Sequence, residues 1–397
     1  MEESARPRAL LLAPEAPYPA AGGGALRSAS LVQYLSGRYR LDLIVFREPG
    51  SPDPASLIPQ GLFENVLVLD LARHSRTRLA RLARNLDRAL RGAPPLADRF
   101  SGSGPSIAAF VRGKHYQLAV IEHLWCAPYW EQIAPRSETV ALDAHNIESL
   151  LMERCAAVES WPMRFLLRRF QQAWLSLERR WLPRFGLILA ASAADGAALR
   201  VLAPSTRVCV YPNSLPPMPQ PEVEAEQAII FTGNFDYLPN RDAVHHFHSR
   251  IWPLLRNRYP DLVWRLAGKN PEGVARLLRR DPRIEILGPV DDAVVELARA
   301  RVAIVPLRAG SGTRFKILEA WVAGRAVVST TIGAEGLGAV DGEHLLLADT
   351  PEHFAGAVSA LLDSADLRRR VGGAGRRLYE GRYTWESAWA SLMEAGL

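Results

Sequence analysis

The chain has 397 residues, 48% of them hydrophobic and 23% charged, a globular composition with room for two sizeable domains and no sign of disorder. No apolar run approaches the roughly 20 residues that span a bilayer, and the first thirty residues lack the order of a signal peptide, so a cytoplasmic chain is expected. A net charge of +6 and a pI near 9.4 allow attraction to lipids, acidic glycans or nucleic acid without choosing among them. Cys126, Cys155 and Cys209 match no zinc or redox spacing and are read as reduced structural residues.

In chain order, short apolar runs alternate with amphipathic helical patterns, the signature of parallel sheets in an α/β protein. The N-terminal strand candidates are RALLLA, RLDLIVF, NVLVLD, QLAVIE, TVALD, GLILAAS and RVCVYPN. After the first strand comes PEAPYPAAGGGALRS, where Gly22, Gly23 and Gly24 let backbone approach a ligand and a helix beginning near Ala25 aims its N-terminus there. A dinucleotide fingerprint is excluded by Arg27 in the place of the last glycine.

Two segments concentrate positive charge. Residues 73–91 carry arginines at 73, 76, 78, 81, 84, 88 and 91, with Leu79, Leu82, Leu86 and Leu90 at helical spacing. WPMRFLLRRFQQAWLSLERRWLPRF repeats the theme with three tryptophans. The first expectation is a helix whose apolar stripe packs on its own domain; the second is contact with an anionic membrane surface.

TVALDAHNIES places Asp143, His145 and Asn146 at a strand's carboxyl end, with Asp143 able to orient the histidine or cap the next helix. Glu122 and His123 end the strand QLAVIE and are further candidates for acceptor contact or proton handling. SLPPMPQPEVEAEQ (214–227) then breaks the alternation with four prolines. The division expected is an N-terminal domain over 1–214, a linker over 215–227, a C-terminal domain over 228–382 and a final helix over 383–397 that crosses back to the first domain. A cleft between the domains is the natural ligand site.

The second domain restarts with AIIFTG and continues through DLVWRLAG, RIEILG, RVAIVPL, AVVST and HLLLAD. Between RVAIVPL and a helix beginning at Thr313 lies RAGSGTRFK. Its glycines, the unpaired N–H groups of a first helical turn, and the charges of Arg314 and Lys316 make a phosphate or diphosphate the default ligand. Asp291 and Asp292 precede a helix, and VDD reads as its N-cap rather than as a metal-binding pair.

FTGNFDYLPNRDAVHHF, IWPLL, YPDLVWRLAGKNP, ILGPVDD, VPLRAGSGTRFKILEAWVAGRAVVST, GAEGL, LLLAD and RYTWE follow one another between 229 and 385, with echoes in PYPAAGGGALR, DAHNIES and RVCVYPNSL. In this set the chain resembles the GT-B sugar transferases of glycosyltransferase family four, which includes exopolysaccharide and lipopolysaccharide assembly enzymes of the cell envelope. The resemblance implies an α/β GT-B fold, two Rossmann-like doubly wound domains facing an interdomain cleft. It implies transfer of a sugar from a nucleotide-diphosphate sugar to a hydroxyl of a glycan or lipid-linked acceptor, with retention and without a metal.

By the same resemblance, Arg314 and Lys316 hold the donor diphosphate and stabilise the charge growing on it. Glu319, at the second glutamate of the family's paired motif, accepts from the ribose hydroxyls, although Lys316 and Glu319 are also spaced for a local ion pair. Gly23 and Gly24, Gly233 and Asn234, and Gly312 and Thr313 complete the donor contacts, and His145 lies near donor sugar and acceptor. The sequence departs from the pattern twice. The first glutamate's position is Ser311, and in the glycine loop the family's arginine place is Asn234 while its lysine place falls near Asn240 or Arg241. Ser311 keeps open a non-catalytic nucleotide-sugar-binding protein, and a GT-B sugar-nucleotide epimerase is the remaining alternative. Nucleic-acid binding is not expected, for no such module is present. Tyr383, Trp385 and Trp389 are suited to pin the crossing helix.

Overall fold

The computed structural model describes residues 6–75, 77–278 and 280–397. The chain forms two compact units, one of residues 1–156, 160–213 and 389–397 and another of 157–159 and 214–388.

In the first unit, β1 (Arg8–Ala13), β2 (Arg40–Arg47), β3 (Asn65–Asp70), β4 (Tyr116–Glu122), β5 (Ser137–Ala144), β6 (Leu187–Ala190) and β7 (Arg207–Val210) form one sheet in the order β3-β2-β1-β4-β5-β6-β7. Every pairing is parallel. Such strands are covered on both faces and read as continuous apolar runs; accordingly Leu43, Ile44, Val45, Val120 and Ile121 have no exposed surface. In the second unit, β8 (Glu226–Thr232), β9 (Val263–Ala267), β10 (Ile284–Gly288), β11 (Ala300–Val305), β12 (Ala326–Ser329) and β13 (Leu346–Leu347) form a second parallel sheet in the order β10-β9-β8-β11-β12-β13. In each sheet the order reverses beside the first strand, β1 or β8, so the carboxyl ends of its neighbours open a crevice there.

Large aromatics anchor the second unit. The Phe247 and Trp264 rings lie 4.6 Å apart and the Trp252 and Trp264 rings 5.8 Å apart, and both tryptophans are buried. Burial of an aromatic of this size contributes roughly 4–6 kcal/mol by area, an upper estimate.

The final helix, Trp385–Glu394, carries the chain back to the first unit from Trp389 onward. Trp389 Nε1 donates to the carbonyl and hydroxyl of Ser30 at 3.2 and 3.1 Å, and the Tyr34 hydroxyl donates to the Leu397 carbonyl at 2.6 Å. Tyr383 does not take part, for its hydroxyl donates to the Leu337 carbonyl within the second unit.

The helix Arg78–Arg91 corrects the first expectation for its leucines. Leu79, Leu82, Leu86 and Leu90 are 81%, 65%, 59% and 75% exposed, whereas Arg88 and Ala89 are buried. Arg88 is drawn inward by Asp98 at 2.8 Å, and Arg84 donates to the Ser75 carbonyl. The helix thus seats its polar side and shows its apolar side. Arg76 and the side chains of Arg78 and Arg81 lie outside the described residues. Among the described residues, no helix is long and apolar enough to cross a membrane.

Candidate functional site

In the second unit the loops after β8, β9 and β11 meet the helix Phe315–Val322. That helix starts two residues later than its apolar pattern suggests, with Arg314 at the N-cap. Gly310 and Gly312 hold φ of 144° and 75° in the preceding loop, backbone that only glycine adopts readily. Ser311, Thr313 and Arg314 are buried there. The Arg314 guanidinium turns back onto its own loop, donating to the Ser311 carbonyl and, at 2.6 Å, to the Gly312 carbonyl.

Lys316 projects from the first helical turn. Its Nζ donates to Asn240 Oδ1 at 2.8 Å and stands 4.0 Å from the centre of the Phe231 ring. A Cβ on Gly233 would lie 2.7 Å from Asn240 Nδ2 and 3.1 Å from Lys316 Nζ, and one on Gly268 would lie 1.9 Å from the Gly233 carbonyl oxygen. Glycine at both places is what lets two loops and a lysine converge. Asn240 Nδ2 in turn donates to the Asn234 carbonyl at 2.9 Å. The Asn234 side chain is a loop organiser, accepting from Asn270 Nδ2 at 2.8 Å and the Asp236 N–H at 3.0 Å.

Burial, followed by the adjacent Arg314 charge, pushes the Lys316 ammonium down to about 7. Burial pushes the Glu319 carboxyl up to about 7, with Lys316 opposing and Asp292 reinforcing the shift. Among the described residues no ion pair joins Lys316 to Glu319, so the two remain separate tools on one helix face. Asp292 is the expected N-cap, accepting from the Val294 and Val295 N–H groups at 2.8 and 3.1 Å.

The first unit carries a second polar cluster, at the carboxyl ends of β4 and β5 and the start of the helix Gly23–Ser36. Arg27, 2% exposed, donates from Nε to both Asp143 oxygens at 2.9 Å and from Nη2 to Oδ1 at 2.6 Å. Its Nη1 reaches the Tyr211 carbonyl and Asn213 Oδ1 at 2.7 and 2.9 Å. Burial alone would raise the Asp143 carboxyl, but Arg27 and His145 hold it well below the usual carboxylate range. His145 Nε2 lies 3.2 Å from Asp143 Oδ2, so Asp143 orients His145 rather than capping the next helix.

His145 is one member of a three-ring stack, 3.8 Å from His123, which is itself 3.9 Å from Trp125. His123 adopts φ 62°, uncommon for a residue with a Cβ and frequent at functional positions. Burial, then His145, keeps its imidazole well below its ordinary value and therefore neutral. Glu122, 1% exposed, accepts from the Ser28 hydroxyl at 2.8 Å; burial, then Asp143, raises its carboxyl well above the usual range. Glu122, Asp143 and His145 offer ligand atoms within 4.8 Å of one another. The Arg27 guanidinium already neutralises Asp143, which sets this cluster against a cation. Gly23 and Gly24 open the adjacent helix, and Glu15 packs so closely on Gly24 that a Cβ there would fall 2.0 Å from its Oε1. A carboxylate at this helix start disfavours a phosphate and suits hydroxyl groups.

The structure therefore assembles Gly233, Asn234, Gly312, Thr313, Arg314, Lys316 and Glu319 around the strand ends of the second sheet, and gathers Gly23, Gly24 and His145 with Arg27, Glu122 and His123 in the first. Asn240, the Arg27–Asp143 pair and the ring stack are what spacing alone does not give. Asn146 is spent locally, its side chain bonding to the buried Glu148.

Residues 226–364 match the family model described as Glycosyl transferases group 1. That span of the chain is therefore similar to the group 1 glycosyl transferases. Its strands β8–β13 and the Lys316–Asn240 cradle all lie inside the matched span. An uncharacterized protein of the cps region of Klebsiella pneumoniae is 27% identical over 135 residues, 32% of this chain and 35% of that protein; the alignment spans about a third of the relative's length. Solved structures of low identity resemble the chain over nearly its whole length. Sucrose-phosphate synthase from Thermosynechococcus elongatus has a TM-score of 0.75 at 16% identity, covering 98% of each chain. HepE from Anabaena, solved with UDP and glucose, gives 0.65 at 15%, covering 98% of this chain and 99% of that one. TarM of S. aureus gives 0.70 at 9% with the same coverage. The chain thus has the GT-B fold.

Proposed function

We propose that the chain is a glycosyltransferase that moves a sugar from a nucleotide-diphosphate sugar to a hydroxyl of a glycan or lipid-linked acceptor. The observation that carries this reading is the cradle of Gly233, Asn240 and Lys316 at the carboxyl ends of β8 and β11, inside the matched span. The diphosphate takes the place of Asn240 as partner to Lys316, Arg314 unfolds from its loop carbonyls onto the phosphates, and Glu319 accepts from the ribose hydroxyls. Two cations supply the charge a metal would otherwise bring, so transfer proceeds without one.

In the step itself the acceptor oxygen forms a bond to the anomeric carbon as the bond from that carbon to the diphosphate oxygen breaks. The acceptor proton passes to the departing diphosphate on the same face, with retention of configuration. The first unit binds sugar and acceptor hydroxyls: neutral His123, held between Trp125 and His145, and the Glu122 carboxyl, whose charged form burial and Asp143 disfavour, are its hydrogen-bonding groups. His145 is a positioning residue in this scheme.

A panel of UDP, GDP, dTDP and CMP sugars, titrated in EDTA against wild type and Arg314→Ala, tests the proposal. UDP-glucose comes first, since HepE has been solved with it. Saturable binding of one class, lost in the variant, with the product anomer matching the donor by NMR, is the expected result; an inverted product refutes the same-face path. Ser311, where the family's first glutamate would stand, favours one rival, a non-catalytic nucleotide-sugar binder. Donor binding without hydrolysis or transfer to any acceptor would establish it.

A further inference from the structure

The helix Arg78–Arg91 exposes a leucine stripe that its own domain leaves uncovered. Leu79, Leu82, Leu86 and Leu90 follow at intervals of three, four and four, one face of a helix about 21 Å long. A neighbouring helix adds further exposed apolar side chains. Arg169 donates to the Ala89 carbonyl at 3.3 Å, which brings the start of the helix Met163–Trp181 beside the last turn of the first. Trp161 and Phe165, 81% and 70% exposed, stand there. Scattered exposed leucines need no explanation, but six large apolar side chains on neighbouring elements form a patch of the kind that marks an interaction surface.

Charge selects the occupant. Residues 73–91 hold seven arginines against one acid, Asp87, and residues 160–177 three arginines and no acid; Asp98 takes up the buried Arg88 and reaches Arg91, and the remainder stays net positive. A second copy of the chain would press the same arginine-rich borders against each other, which opposes association. A surface that is apolar below and negative at its rim complements the patch, and an anionic bilayer has that profile. Exposed tryptophan and phenylalanine suit the headgroup boundary, where an aromatic body meets lipid and polar neighbours remain wet.

We propose that this patch docks the first unit on an anionic lipid bilayer, with the leucine stripe in the plane of the interface and the arginines that Asp98 does not hold on headgroup phosphates. This deepens the transferase reading by placing its acceptor at a membrane. The test contains neither donor nor acceptor, so its failure would leave that reading standing.

The full chain is sedimented with phosphatidylcholine vesicles with and without phosphatidylglycerol, alongside Leu82→Glu/Leu86→Glu and Trp161→Phe. Wild type is expected to partition onto the anionic vesicles alone and to be released by salt. The double glutamate variant should lose about tenfold or more of that binding while keeping its thermal midpoint, because both leucines are solvent-exposed. Brominated lipid should quench wild type more than Trp161→Phe. Three results would each overturn the proposal: wild type remaining in the supernatant, equal binding to neutral vesicles, or a wild-type dimer in light scattering that the glutamates dissociate without any vesicle binding.

Discussion

Lys316 should make affinity for a nucleotide sugar fall as pH rises above neutrality. Without a donor, burial and Arg314 hold its ammonium at about 7, so near neutral pH half of the molecules lack that charge. A diphosphate in contact favours the charged form and returns the group toward its ordinary value of about 10.4. Binding then takes up a proton throughout the interval between the two values. With about 7 free and about 10.4 bound, the association constant drops about fiftyfold from pH ~7 to pH ~9. Glu319, pushed up to about 7, acts in the other direction below neutrality, because its carboxylate is the form that accepts from a diol. Affinity therefore peaks near neutral pH. The assay is calorimetric titration of a nucleotide sugar, whose phosphates are diesters of constant charge, in buffers of different ionisation heat. Lys316→Met should bind weakly and lose the decline above neutrality. A wild-type constant that stays level over this range, or a variant that keeps the slope, would refute the reasoning. Stability has the corresponding sign: the unfolded lysine keeps its proton up to about 10.4 and the folded one does not, so this residue makes stability rise with pH between those values.

Arg27→Met should destabilise the first unit by about 3–5 kcal/mol in urea, because it strands the buried Asp143 carboxylate; Arg27→Met/Asp143→Asn should recover much of that loss, and a single variant as stable as wild type would dismiss the pair. Glu148, buried beside Glu178, is pushed up to about 8. Its folded form holds a proton that the unfolded one releases near 4.5, so stability falls as pH rises through that window. Glu148→Gln should remove a slope of up to about 1.4 kcal/mol per pH unit, read from melts across the range. Gly268→Ala must move the Gly233 carbonyl and adopt a φ of 143°; it should cost about 1–3 kcal/mol and weaken donor binding about tenfold or more, measured by the same titration.

The strands were legible because buried parallel strands are uninterrupted apolar runs, and each of the thirteen coincides with one. The weakest is β13, where HLLLAD pairs over only Leu346 and Leu347. The diphosphate loop was legible because glycines and cations at a strand-to-helix turn have few other uses. Two things were not. Periodicity finds a stripe but not which way it faces, and for Arg78–Arg91 the answer depended on Asp98, which captures Arg88 from the next helix. Nor does spacing reveal which polar residues become partners across long separations: Arg27 lies 116 residues from Asp143, and Asn240 lies 76 from Lys316.

The return of residues 389–397 to the first unit has a consequence for synthesis. A ribosome that has delivered the whole first sheet has still not delivered Trp389, whose indole caps Ser30, or the segment that meets Tyr34. An N-terminal domain is usually finished while the rest is being translated; here these contacts form only after the second unit has been made. Until the last helix emerges, the surface around Ser30 and Tyr34 that it covers stays open.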